Sequence, residues 1–328
     1  MLNEKVLKTI TKYNLIKSGD SIVCGVSGGP DSICMLDILI KLKEKLNFNI
    51  YVAHINHMIR EEAIDEEKFV QDFCKKNNIE CFVKRVDVLK ISKDRKIGTE
   101  EAGRICRYDF FDEILEKTNS NKTATAHNLN DKIETIIMNV LRGSSVSGLK
   151  GIEHMRGKNI RPLIECERDE IEEYCIKHNL NPKYDKSNKE NIYTRNKIRN
   201  IAIPYIKEEF NPNIVNTINR LSQEAEETVE YLNKLVEKSY NQILMEKQEN
   251  QIILDLKKFN MLDLVIKKRV VLYTINSLFG NTCNIEKIHI EDIIKLCTNN
   301  IGNKFLCPNK NTKVLVKNKK IFFIRNTE

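Results

Sequence analysis

No two of the ten cysteines are separated by just two residues; they stand at Cys24, Cys34, Cys74, Cys81, Cys106, Cys166, Cys175, Cys283, Cys297 and Cys307. Without a Cys-x-x-Cys pair, a zinc ribbon, an iron–sulfur site and a thioredoxin-like redox motif lose their usual signatures. Several of these thiols, Cys24, Cys34 and Cys106 among them, lie inside apolar runs, as small buried hydrophobes in a reducing compartment do. No stretch approaches the roughly 18 apolar residues of a membrane span. The N-terminal MLNEKVLKTITKY mixes acids and bases and lacks the apolar core of a signal peptide. Internal repeats and low-complexity segments are also missing. The expectation is a cytoplasmic protein with no membrane partner.

What is present fits a globular chain. The 328 residues are 41% hydrophobic and 30% charged, a length that favours about two domains. The net charge of +8 favours a polyanionic partner without locating it. Short β-like runs at Ser21–Val26, Ile50–His57, Glu80–Val88 and Lys122–His127 alternate with helical patterns at 33–46, 62–77, 99–117 and 130–142. Such alternation predicts an α/β fold, a Rossmann-like parallel sheet with helices on both faces. A boundary is expected near residue 210, where Asn211-Pro212 has the form of a helix start. Ile214, Ile218, Leu221, Ala225, Leu232, Leu235 and Val236 then mark one face of a long helix. The expected division is a catalytic domain at 1–210 and a smaller, mainly helical domain at 211–328 with helices at 257–279 and 285–298 and a short β tail. That tail is basic: from Ile301 to Glu328 there are seven Lys/Arg and one acid.

The stretch GVSGGPDS, Gly25 to Ser32, separates the first strand from the first long helix. Gly25-x-Ser27-x-Gly29 also matches a hydrolase nucleophile elbow, but an elbow follows several strands and needs an upstream oxyanion loop. A phosphate cradle suits the position better: glycines let the backbone approach a ligand, and a helix starting near Asp31 aims its free N–H groups at it. The loop is neither a Walker A motif nor a Gly-x-Gly-x-x-Gly fingerprint; the bland alternative is a plain tight turn. The stretches His54–Arg60 and His127–Glu134 also fall at carboxyl ends of expected strands, where ligands of open α/β sheets bind.

These residues carry a resemblance. SGGPDS at 27–32 resembles the pyrophosphate loop of the PP-loop ATP-pyrophosphatase superfamily. Within it, HINHMIR at 54–60, EEAGRICRYDFF at 100–111, AHNLNDKIETIIMNVLRGSSVSGLKGI at 126–152, RPLIE at 161–165 and DKSNKENIYTRNKIRN at 185–200 resemble the tRNA(Ile)-lysidine synthases, in their short form. The resemblance implies adenylation by ATP of C2 of the wobble cytidine in a tRNA(Ile) with a CAU anticodon, then displacement of AMP by free lysine. It implies ATP binding by Ser27, Gly28, Gly29, Pro30, Asp31, Ser32, His54 and His127, and Mg2+ on Asp31. Asp131 and Glu134, three apart on one helical face, are the expected lysine-handling pair. Arg104 and Arg107 are expected to offset charge during adenylation. Arg142, Arg195, Arg199, Lys317, Lys319 and Lys320 are the expected tRNA contacts, and a homodimer is compatible with the family.

Each assignment has a plainer counterpart. His54 and His127 are as often packing residues at strand ends, the tail can be a solvated surface, and Asp185 with the arginines can form an ion network in place of a backbone contact through Asp185, Ser187, Asn188, Arg195, Asn196 and Arg199. Where the family commonly reads Ala-His-His-x-Asp-Asp-Gln, this chain has Ala126-His127-Asn128-Leu129-Asn130-Asp131-Lys132. One histidine and one acid are thus amides, and a metal role of the first acid would have to pass to Asp131. Rival readings are a tRNA thiolase, which wants paired cysteines, an amidating ligase, which wants an ammonia source, and a non-catalytic nucleotide- and tRNA-binding module.

Overall fold

A computed structural model describes residues 1–58, 63–183, 194–280, 285–299 and 304–326. Arg60, Asp185, Ser187 and Asn188 of the blocks above lie outside them. The apolar runs become β1 (Ser21–Gly25), β2 (Asn49–Asn56), β3 (Glu80–Arg85) and β4 (Lys122–Ala124), joined through α2 (Pro30–Leu46), α3 (Ala63–Lys76), α4 (Val88–Arg95) and α5 (Thr99–Lys117). With β5 (Met155–Arg156) and β6 (Asn159–Ile160) they form one sheet in the order β3-β2-β1-β4-β6-β5. Every pairing is parallel except β5 with β6. The third strand is shorter than its apolar run suggests, because Asp87 caps α4 by accepting from the Lys90 backbone N–H at 2.9 Å.

The pleat sorts each strand's side chains between two faces. Ile22, Cys24, Ile50 and Val52 pack with α1 (Leu2–Lys12), α2, α3 and α7 (Arg168–Lys177), while Val23 and Ala53 turn to Phe110, Phe111, Ile114 and Leu115 of α5. Gly25 ends β1 because α5 lies against it: a Cβ there would be 2.3 Å from Phe111 Cζ. The buried cysteines of this unit belong to these cores.

After β4 the chain enters α6 (Leu129–Leu141), and after α7 it forms α8 (Thr194–Lys197), a π-turn at Ile198–Ala202, α9 (Ile203–Glu209) and α10 (Ile214–Ile243). Leu129, Ile133, Ile136, Ile198, Ile203 and Val215 make a separate apolar cluster.

The chain divides into compact units Met1–Ala225 and Glu226–Glu328, so the division falls inside α10 and not at residue 210. The physical reason is that the first turn of α10, Ile214, Val215 and Ile218, joins the cluster of α6, and nothing breaks the helix at Asn211-Pro212, which precedes it.

In the second unit, β7 (Leu244–Lys247), β8 (Gln251–Asp255), β9 (Lys304–Asn309), β10 (Thr312–Lys317) and β11 (Lys320–Arg325) form an antiparallel sheet ordered β7-β8-β11-β10-β9. The expected β tail is therefore three strands of a five-strand sheet. It shares a core with α11 (Leu256–Met261), α12 (Leu264–Phe279) and α13 (Lys287–Thr298), built on Phe259, Val270, Val271, Ile293 and Phe323. The β10–β11 turn is Asn318-Lys319, both at positive φ (52° and 57°), as a two-residue I′ hairpin requires. Among the described residues no helix is long and apolar enough to cross a membrane.

Candidate functional site

The site is assembled at the carboxyl ends of β1, β2 and β4. After β1 the backbone turns through Gly28 at φ +94°, a conformation open to glycine and strained for other residues. Gly29 then caps α2 and Pro30 takes its first turn, where the missing N–H costs nothing. Ser32 ties the loop together: its hydroxyl accepts from the N–H groups of Ser27 and Gly28, both at 3.2 Å, and donates to Gly29 O at 3.0 Å. The loop is thus preshaped around the positive end of α2, where an anion is favoured.

Asp31 stands in that first turn. Burial and the neighbouring charge of Asp131 push its carboxyl up to about 6, against the pull of Arg168 and Arg199. Its Oδ1 accepts from Asn128 Nδ2 at 2.8 Å. Asn128 in turn caps α6, its Oδ1 accepting from Asp131 N at 3.0 Å while Asp131 Oδ2 accepts from Asn128 N at 3.2 Å. One fully buried amide thereby joins the loop to α6 as donor and acceptor together.

Asp131 and Glu134 do share a face of α6, but they are spent on arginines. Arg195 donates from Nε to Glu134 Oε2 at 2.8 Å and from Nη2 to Asp131 Oδ1 at 3.2 Å. Arg199 donates from Nε to Glu134 Oε1 at 2.6 Å, and from Nη2 to Glu134 Oε2 and Asp131 Oδ1, both at 2.9 Å. Arg168 adds its charge 3.7 Å from Asp131 and 3.9 Å from Glu134. The Glu134 side chain is 1% exposed and that of Asp131 14%.

The acids and arginines are thus partnered within one network. Both Glu134 oxygens, expected to handle lysine, accept from guanidiniums. Arg195 and Arg199, expected on tRNA, are directed inward at acids. Asp131, expected to take over a metal role, accepts from two arginines and from the backbone at the α6 cap. With Asp31 the three acids balance Arg168, Arg195 and Arg199, so the network is close to neutral and a further ammonium would unbalance it.

Beside the network lies a group of histidines and arginines with unmet bonds. His54 Nδ1 is 2.8 Å from Val26 O, while its Nε2 is buried with no hydrogen-bond partner among the described residues. The same holds for His57 Nδ1 and Arg161 Nε. His127 Nδ1 lies 3.1 Å from Thr125 Oγ1. Burial drives both His57 and His127 down to about 4; Arg107 reinforces this at His57, and Arg161, Arg195 and Arg107 reinforce it at His127, where Asp131 opposes. Both rings are therefore neutral at pH 7. Arg107 is exposed by surface area, yet desolvation by the surrounding protein lowers its pKa. Arg104 places its guanidinium 5.6 Å from the centre of the Tyr108 ring.

Buried polar groups are nearly always paired. His54 Nε2, His57 Nδ1 and Arg161 Nε, at or just past the ends of β2 and β6, are exceptions among the described residues.

The PP-loop domain family matches residues 2–206. The tRNA(Ile)-lysidine synthase of Clostridioides difficile is 43% identical over 319 residues, covering 97% of this chain and 69% of that protein. The chain belongs to the tRNA(Ile)-lysidine synthase family. The member from Clostridium acetobutylicum is 46% identical over 311 residues, covering 94% of this chain and 67% of its own, and that from Clostridium tetani 44% over 308 residues, covering 93% and 65%. The chain thus spans about two thirds of the length of these relatives. A solved U34-tRNA thiolase NcsA from Methanococcus maripaludis, with its 4Fe-4S cluster, shares the fold at a TM-score of 0.55 and 21% identity, over 68% of this chain and 78% of that one.

The departures from the family pattern acquire reasons here. Asn128 bridges Asp31 and Asp131, and Asn130 Oδ1 accepts from Arg168 N at 2.9 Å, satisfying a free donor at the start of α7. Sequence reasoning gave no role to His57, Arg161 or Arg168. Arg161 carried a visible signal, a lone cation in the apolar run Ile160-Arg161-Pro162-Leu163-Ile164. Arg142 sits exposed at the carboxyl end of α6, and Lys317 and Lys319 are exposed at the β10–β11 turn with Lys320 half-buried.

Proposed function

We propose that the chain ligates lysine to C2 of the wobble cytidine of a tRNA(Ile) with a CAU anticodon, consuming ATP through an adenylated tRNA. The observation that carries this reading is the preshaped loop Ser27–Ser32 at the start of α2, with unpartnered polar atoms on His54, His57 and Arg161 at or just past the ends of β2 and β6. Ser27, Gly28, Gly29, Pro30 and Ser32 hold the pyrophosphate portion of ATP at the start of α2. Arg107 and Arg161, with Arg104 at the rim, meet the charge that builds on the reacting phosphate, where preorganised donors act most strongly. His54, His57 and His127, kept neutral, each offer the donor and acceptor sites of an imidazole to adenine or cytosine without adding charge.

Asp131 and Glu134 act in this scheme by orienting Arg195 and Arg199. Among the described residues no three His, Cys, Asp or Glu side chains converge on a metal position, yet Asp31 supplies one carboxylate beside the loop. That fits Mg2+, which is commonly held by one or two carboxylates together with substrate phosphates and water; bound, it would neutralise phosphate charge. Arg142, Lys317, Lys319 and Lys320 contact the tRNA backbone. The reaction takes place in the cytoplasm, with tRNA and free lysine as partners.

The test is pyrophosphate release. Sustained release over many turnovers should require ATP, Mg2+, tRNA and lysine together, with ATP, Mg2+ and tRNA alone giving no more than the single turnover that forms the adenylated tRNA; Arg161→Met should reduce it by about 100-fold, the scale of one missing transition-state donor. Equal turnover with ammonium or a sulfide donor in place of lysine would sink the reading.

A further inference from the structure

Among the four buried polar atoms of the second unit with no hydrogen-bond partner among the described residues are Arg325 Nε and Thr312 Oγ1. Their residues stand directly opposite each other in the β10–β11 pairing, so their side chains emerge on one face of the sheet as immediate neighbours. Thr312 is fully buried. The hairpin that brings these atoms together leaves both short of a partner at one place.

A cavity of about 1040 Å³ opens beside Arg325, lined by that residue, Lys310, His289, Asn309, Asn311 and Asn326, with Glu286 as an acid on its wall and Ile275, Phe279 and Pro308 as its apolar part; Thr312 is fully buried and not part of the wall. The Arg325 guanidinium is fixed on its other sides. Its Nη2 donates to Leu278 O, and its centre lies 5.4 Å from the middle of the Phe279 ring. What remains is an Nε–H held in a set direction. His289 Nδ1 accepts from Glu286 N at 3.1 Å, which puts the ring proton on Nε2 and makes that atom a donor. Donors therefore predominate: a guanidinium N–H, an imidazole N–H, an ammonium and the amides of three asparagines.

A site of fixed donors and two cations, with one acid against them, suits an oxyanion that accepts many hydrogen bonds at once. We propose that this cavity binds a phosphate group, with the Arg325 guanidinium and His289 Nε2 as its inner donors and Lys310 at its rim. The group can arrive on a free phosphate compound or within an RNA backbone; the chemistry of recognition is shared. The cavity belongs to the second unit alone, and its ligand stands whether or not the catalytic reading holds.

The test follows the Arg325 Nε–H signal in side-chain ¹⁵N spectra of the full chain, identified by its disappearance in Arg325→Lys. Titration with inorganic phosphate, and separately with a ribodinucleotide carrying one internal phosphodiester, should shift this signal saturably. A response to phosphate alone assigns the free compound as ligand, and a response to the dinucleotide assigns RNA. Lys310→Ala, whose side chain is exposed, should weaken the response about tenfold, the scale of one charge-assisted hydrogen bond. Ser32→Ala, in the loop of the first unit, should leave it unchanged. A signal unmoved by either ligand, or a response identical in Lys310→Ala, would overturn the proposal.

Discussion

Arg199 grips Glu134 through both carboxylate oxygens, Nε to Oε1 at 2.6 Å and Nη2 to Oε2 at 2.9 Å, and the acid is 1% exposed. Breaking such a pair from one side strands a buried charge. Glu134→Gln should therefore destabilise the first unit by about 3 to 5 kcal/mol, read as a fall in the urea midpoint. An unchanged midpoint together with abolished lysine transfer would return Glu134 to proton handling.

Acid should weaken the fold through the neutral histidines. Unfolded, His57 and His127 titrate near 6.5; folded, both lie near 4. Between those values the unfolded chain binds more protons, so stability rises with pH across the window and is complete above it. Asp31, raised from 3.8 to about 6, opposes this: the folded chain holds the additional proton there, and its contribution falls as pH rises. Two groups outweigh one, and denaturation profiles from pH 4 to 7 should show a net gain. His127→Asn should flatten that gain; a slope as steep as in the unaltered chain would show that the ring does not titrate as described.

How much of this was legible in the sequence depended on the range of each interaction. The β1–loop–α2 unit could be read because Gly28, Gly29 and Pro30 impose it within a few residues. The fate of Asp131 and Glu134 could not, since Arg195 and Arg199 lie about 60 residues along the chain and only tertiary packing makes them neighbours. Likewise β7 escaped notice because Leu244–Lys247 is mostly exposed and shows no alternation, its strand state being set by pairing with β8. Arg161 lay inside a recognised block, but an orphaned Nε is a property of the folded chain alone.

Two neighbouring glycines should respond differently to alanine. Gly28 has φ +94°, whereas a Cβ on Gly29 would meet only ordinary contacts, Ser27 Oγ at 3.5 Å and Lys183 O at 3.9 Å. Gly28→Ala should cost about 1 to 2 kcal/mol of backbone strain and distort the N–H donors to Ser32, lowering ATP affinity about tenfold or more on the scale of that strain. Gly29→Ala should preserve stability. Equilibrium dialysis with ATP and thermal unfolding separate the two; equal stability of both variants would contradict the loop geometry.

Replacing Lys317, Lys319 and Lys320 together by alanine should reduce the salt dependence of tRNA binding. Removing one lysine–phosphate pair lowers the slope of log affinity against log salt by roughly 0.7 to 0.9, so the three should take away about 2 to 3 units. The strands pair on either side of the turn and do not need these side chains, so the fold should persist. An unaltered slope by filter binding across a potassium chloride series would make the turn a solvated surface.

The central claim concerns the product. Single-turnover mass spectrometry of the anticodon fragment, from tRNA(Ile) with a CAU anticodon incubated with the chain, ATP and Mg2+, tests it most directly. An adenylated cytidine should appear without lysine, and adding lysine should convert it to a base heavier by one lysine less one water. A fragment whose mass never changes, or one that gains sulfur or ammonia in place of lysine, would contradict the account.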